Sequence, residues 1–139
     1  MVWSEVDEAT RTWHIPSHRS KNAKAHLVHL SDRVWEIIKG QPRHSRFVFA
    51  TSGGKNFQSF KHAKATLDQL SGVTRWRIHD LRRTVVTGMA RLGVPPHVAD
   101  KILNHQSGTI SGVAAVYQKH EFLAERKAAL DRWSQHVAG

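Results

Sequence analysis

Apolar residues recur along the chain with a spacing of two in its first third and a helical spacing in most of the remainder. Residues 10–15, Thr-Arg-Thr-Trp-His-Ile, put Trp13 and Ile15 on one side, and residues 26–30, His-Leu-Val-His-Leu, keep the same period. The two segments predict antiparallel strands, with the polar, basic stretch from Pro16 to Lys24 projecting beyond the sheet as a loop. Phe47-Val48-Phe49 predicts another short, buried strand. Ser31 caps a predicted helix that runs to about Lys39 and ends at Gly40 and Pro42, and a second covers about 57–70 and stops at Gly72. A third begins near His79 and closes at Gly93, with Leu81, Val85, Met89 and Leu92 on its inward stripe. Pro95 and Pro96 open a fourth, reaching about Asn104 with Val98 and Ile102 inward. A short helix carries Val113, Val116 and Tyr117, and a last one runs from about Glu121 to Val137 with Phe122, Ala129, Leu130 and Trp133 in register. With no internal repeat, linker or composition break, residues 1–139 read as a single domain, mainly α with a small antiparallel β-sheet.

Composition narrows the partners. The 139 residues hold 21 Lys and Arg against 11 Asp and Glu, a formal charge of +10, and 40% hydrophobic residues, which is ordinary for a folded chain. Polyanions, nucleic acid first, are the default partner of a folded domain this basic. No run approaches the roughly 20 apolar residues that cross a bilayer, and the start lacks the layout of a signal peptide, so a soluble, cytoplasmic protein is expected. The absence of cysteine excludes disulfides, thiolate chemistry and Cys-based metal sites.

Three segments could carry chemistry. Arg75-Trp76-Arg77-Ile78-His79-Asp80-Leu81-Arg82-Arg83 crowds arginines and a histidine at a helix start, and its three-residue spacing puts His79 and Arg82 on one face. A guanidinium beside an imidazole there suits a phosphate, although a solvated basic helix start explains the same residues. His105, at the end of the Pro95 helix, is either a C-terminal residue favoured by the helix dipole or an imidazole aimed out of the scaffold. Tyr117, the one tyrosine, is either a core residue or, if cations converge on it, a nucleophile toward phosphorus. The histidines show no metal-ligand spacing, Ser52-Gly53-Gly54 is no nucleophile elbow, and Gly53-Gly54-Lys55 lacks the first glycine of a phosphate loop. Neither a metal nor another cofactor is expected.

The order of these segments resembles the tyrosine recombinases, specifically phage and prophage integrases. Trp13-His14-Ile15-Pro16, Ser20-Lys21-Asn22 and Val28-His29-Leu30-Ser31 are similar to that family's strand, hairpin lysine and return strand. His79-Asp80-Leu81-Arg82-Arg83-Thr84 is similar to its central motif, and Leu103-Asn104-His105, Val113 to Tyr117 and Glu125 to Trp133 to the tail of its prophage subgroup. The resemblance implies the fold of the integrase catalytic domain and site-specific breaking and rejoining of DNA through a 3′-phosphotyrosyl intermediate. It implies that Tyr117 attacks, His79 assists as base, Arg82 and His105 stabilise the phosphorane, and Lys21 protonates the departing 5′ oxygen. Arg19, Lys24, Arg75, Arg77 and Arg83 would grip flanking double-stranded DNA, and the working assembly would be a homotetramer on its attachment sites, as in prophage integration and excision.

One departure stands against the pattern. The family carries a further catalytic arginine on a helix ahead of its first strand, whereas Met1 to Asp7 already looks like that strand. The expectation is therefore a C-terminal part of a catalytic domain, truncated at its N-terminus and impaired in cleavage. Relaxation of supercoils by a type IB topoisomerase-like enzyme, or a non-catalytic DNA-binding module, would use the same cations.

Overall fold

A computed structural model describes residues 1–105 and 120–139 of the chain. The sheet is three-stranded and antiparallel in the order β1 (Val6–Asp7), β2 (Thr12–Ile15), β3 (His26–His29). Trp13 pairs with Val6 on one side and Val28 on the other, and Ile15 pairs with His26, the register that the alternation of apolar residues demands. The expected first strand over Met1 to Asp7 is shorter than read, because Trp3–Glu5 coils into a 3₁₀ turn before β1.

Helix α1 (Asp32–Lys39) turns Trp35 and Ile38 inward, and they close a small core with Leu30 and Val48 against Met1, Trp3, Val6 and Trp13. Val48 is thus buried as expected, but Phe47-Val48-Phe49 is not a strand. Phe47 makes one antiparallel pairing with Val2, Ala50 makes one with Asn56, and Phe49 is exposed, so no neighbour offers the segment a ladder.

Helix α3 (Ile78–Arg91), α4 (Pro96–Ile102) and α5 (Leu123–Ala138) enclose the second core, built from Met89, Val94, Val98, Ala99 and Ala129 with Val85, Ile102, Phe122, Leu130 and Trp133 around it. Gly93 takes a positive φ of 74° to reverse the chain, and Pro96 occupies the first turn of α4, where its missing N–H is no loss. Leu81 departs from the expected inward stripe: it is 55% exposed, one turn before the stripe engages the core at Val85. Helix α2 (Phe60–Ser71) begins three residues later than the sequence suggests and buries no residue. It is held instead by its polar side, where Asp68 accepts a hydrogen bond from Trp76 Nε1 at 2.8 Å and Lys64 lies 4.8 Å from the centre of the Trp76 ring.

The last helix is pinned along its length. Arg126, only 4% exposed, donates to the Leu27 carbonyl of β3 and to the Glu121 carbonyl. His29 donates to Asp131 at 2.9 Å, and Arg132 to the Leu92 carbonyl at the end of α3 at 2.8 Å. Hydrogen bonds from Lys127 and His29 hold the Asp131 carboxyl below its usual range although partial burial opposes them.

Candidate functional site

The first turn of α3 is fixed by its own sequence. Asp80 accepts the backbone N–H of Arg77, the N-cap residue, at 2.8 Å, and its charge lies favourably against the helix N-terminus. With the turn set, His79 is exposed and Arg82, three residues on, is half-buried. Arg82 Nη2 donates to the Leu103 carbonyl at 2.6 Å. That oxygen is one of those a helix end leaves without an intrahelical partner, so a guanidinium satisfies it with a charge-assisted bond.

Leu103 ends α4, and the following two residues make a complete left-handed cap. Asn104 has φ 54°, its N–H meets the Lys101 carbonyl at 3.2 Å, and the His105 N–H meets the Asp100 carbonyl at 3.0 Å. The cap turns the chain at His105 back beside the last turn of the helix. Its Nδ1 faces Asp100 Oδ1 at 3.4 Å, and the side chain is exposed.

The third part comes from the loop between β2 and β3. It does not project freely. Ser17–Arg19 forms a 3₁₀ turn, Arg19 pairs with Glu5, and the residues either side of Lys21 are bonded to the cap. Asn22 Nδ2 donates to Asn104 Oδ1 at 2.7 Å, Asn104 Nδ2 donates to Ser20 Oγ at 3.0 Å, and Ser20 Oγ donates to Asn22 Oδ1 at 2.7 Å. Three short polar side chains therefore close a ring of hydrogen bonds. His26, at the start of β3, adds a bond from Nε2 to the Ile102 carbonyl at 3.2 Å.

The structure thus brings Arg82, His105 and the loop of Lys21 to one place, the C-terminal end of α4, with His79 one turn before Arg82 on the same helix. Tyr117 lies outside the described residues. Of the further basic candidates, Arg75 (φ 61°), Arg77 and Lys24 are exposed, Arg83 is exposed within 3.5 Å of Asp80, and Arg19 is engaged by Glu5. Ser20, Asn22 and Asn104 hold this arrangement together, and a search for charged chemistry does not find them. Their one signal in the sequence is an asparagine at the position after a helix end, which tolerates the left-handed region. Among the described residues no cluster of three or more His, Asp or Glu side chains could hold a metal.

The model of the phage integrase family matches residues 1–122, nearly nine-tenths of the chain. The chain belongs to the phage integrase family. No curated protein and no solved structure gives a match. Integrases of this family are tyrosine recombinases, which recombine DNA site-specifically, so DNA is the expected partner of the chain. Residues 123–139 lie beyond the integrase match, and the prophage-like character of Glu125 to Trp133 rests on the sequence alone. No described helix is long and apolar enough to cross a membrane.

Proposed function

We propose that this integrase chain cleaves and rejoins duplex DNA at attachment sites through a covalent bond between Tyr117 and the 3′ phosphate, in the integration and excision of a prophage. The observation that supports this reading most is the 2.6 Å bond from Arg82 to Leu103, because it joins the helix of His79 to the turn of His105. Such an arrangement suits a phosphodiester. Phosphoryl transfer asks mainly for positive charge and directed donors around the equatorial oxygens; the Arg82 guanidinium supplies the charge and the His105 ring N–H a further donor.

In the forward step the Tyr117 oxygen bonds to phosphorus while His79 accepts the phenolic proton. The bond to the 5′ oxygen breaks with its electron pair, and that oxygen takes a proton from the Lys21 ammonium. The products are a 3′-phosphotyrosine and a free 5′ hydroxyl. Attack by another 5′ hydroxyl reverses the step and rejoins the strands without a nucleotide cofactor, since the energy of the phosphodiester is kept. On attachment sites the assembly would be a tetramer.

A pool of nicked duplexes with a randomised centre tests the reading, with covalent adducts recovered after SDS. The unsubstituted protein is expected to yield an adduct that Tyr117→Phe abolishes. Arg82→Lys should lower its rate by about a hundredfold or more, because an ammonium cannot reproduce the guanidinium's pair of directed donors. An adduct that survives Tyr117→Phe would overturn the assignment of the nucleophile.

A further inference from the structure

We infer that Asn104, with Ser20 and Asn22, is a latch that holds the Lys21 loop closed over the His105 turn, and that Asn104 is a positioning residue for Lys21. The inference rests on the reaction proposed above for its chemical consequence, but the latch itself is a matter of geometry. Lys21 stands between two residues whose side chains both bond to Asn104, 82 and 84 positions away along the chain. Every side-chain atom in this ring both fits and is used: the Asn104 amide donates to Ser20 and its carbonyl accepts from Asn22, while Ser20 donates onward to Asn22.

The backbone gives the reason for asparagine. At φ 54°, within a cap whose two backbone bonds are made, glycine would serve the turn equally well and cost nothing sterically. Asparagine is the residue that tolerates this conformation and also carries a donor and an acceptor. The same cap sets the direction of His105 and presents the Leu103 carbonyl to Arg82. The latch therefore fixes the proton donor relative to the phosphate-binding groups. Around it, Ala23 takes φ 53°, so the loop adopts a conformation that local sequence does not favour and that the tertiary bonds hold. Lys21 itself is exposed and makes no ion pair with a described residue, which leaves its ammonium for a partner arriving from solvent.

Asn104→Gly separates the latch from the turn, since it removes the side-chain bonds and keeps the cap. Asn22→Ala breaks the ring from the other side. Trypsin reads the loop directly through cleavage after Lys21 and Lys24, with cleavage after the exposed Lys55 as the internal control. Loss of two hydrogen bonds should raise the opening equilibrium, and with it cleavage after Lys21 and Lys24 relative to Lys55, by about tenfold in either variant. Unchanged relative cleavage in both variants overturns the latch.

The chemical arm uses the sequence enriched in the covalent adduct, made with oxygen or sulfur at the 5′ bridging position. A thiolate leaves without a proton, so a fault confined to the position of Lys21 slows only the oxygen substrate. Asn104→Gly is expected to slow adduct formation on oxygen by about tenfold or more and on sulfur by less than about twofold. Equal slowing on both makes Asn104 merely structural and overturns its positioning role. If the unsubstituted protein forms no adduct on either substrate, the cleavage reading fails, and the trypsin result alone upholds or overturns the latch.

Discussion

Gly88 shows how one residue decides whether two helices can meet. It stands inside α3, where replacement by alanine would ordinarily raise helix stability by about 1 kcal/mol. Here a Cβ would lie 2.1 Å from Cζ3 and 2.8 Å from Cη2 of Trp133, whose indole packs on the core beneath α5. A ring so placed cannot yield by rotating one terminal bond, and overpacking of this kind costs typically about 1–3 kcal/mol. Gly88→Ala is therefore expected to lower stability in urea unfolding by about 1–2 kcal/mol, the clash outweighing propensity. Trp133→Phe should restore part of that loss in the double variant, and strict additivity of the two changes would argue against the contact. At this scale the charged residues of the site were legible: the spacing of His79 and Arg82 followed from helical period, and His105 from the end of a Pro-initiated helix. The neutral ones were not, because a bond between Asn104 and residues more than 80 positions away leaves no local trace.

At the level of elements, periodicity found the helices of the described residues and both main strands, while the helix expected at Val113 to Tyr117 lies outside them; it failed where burial and pairing part company. Val48 is buried without a ladder, and α2 carries Phe60, Leu67 and Leu70 along one side while leaving all of them exposed, Leu70 by 81%. Hydrophobic spacing records which side could be covered; what covers it depends on the placement of other elements. His26 ties two such elements together, β3 and the end of α4. Partial burial, followed by the charge of Arg126, lowers its pKa below the ordinary 6.5; Lys101 acts in the same sense, and the Ile102 carbonyl and Glu121 oppose them. The sign is fixed by that direction. Above 6.5 the ring is neutral in both folded and unfolded chains; as pH falls below 6.5 the unfolded chain takes up a proton that the fold resists, so stability drops until the folded value is passed. The thermal midpoint should therefore fall between about pH 7.5 and about pH 5.5, and His26→Gln, which keeps a donor for Ile102, should reduce that dependence. An equally steep dependence in the variant would remove His26 as its source.

For the whole molecule the decisive quantity is where the +10 charge stands. Carboxylates at Glu5, Glu8, Asp32, Asp68 and Asp131 each hold a cation, so Arg19, Arg43, Arg11, Lys64 and Lys127 contribute less to the outer field than a count suggests. Lys21, Lys24, Arg75 and Arg77 make no ion pair with a described residue, and the last two lie just before the helix of His79 and Arg82. The net charge alone predicts only binding to a polyanion. The distribution predicts which cations meet phosphate. Each neutralised phosphate contributes about 0.9 to the fall of log K with log salt. Replacing Arg75 and Arg77 together by glutamine should then weaken duplex binding about equally across sequences and reduce the slope by about 2. Arg43→Gln serves as the control, because Arg43 is paired with Glu8 and lies 4.1 Å from the centre of the Trp3 ring. Titrations of a fluorescent duplex at several salt concentrations measure both slopes. If Arg43→Gln lowers the slope as much as the double variant does, DNA responds to total charge rather than to the surface beside α3, and the placement of the interface is wrong.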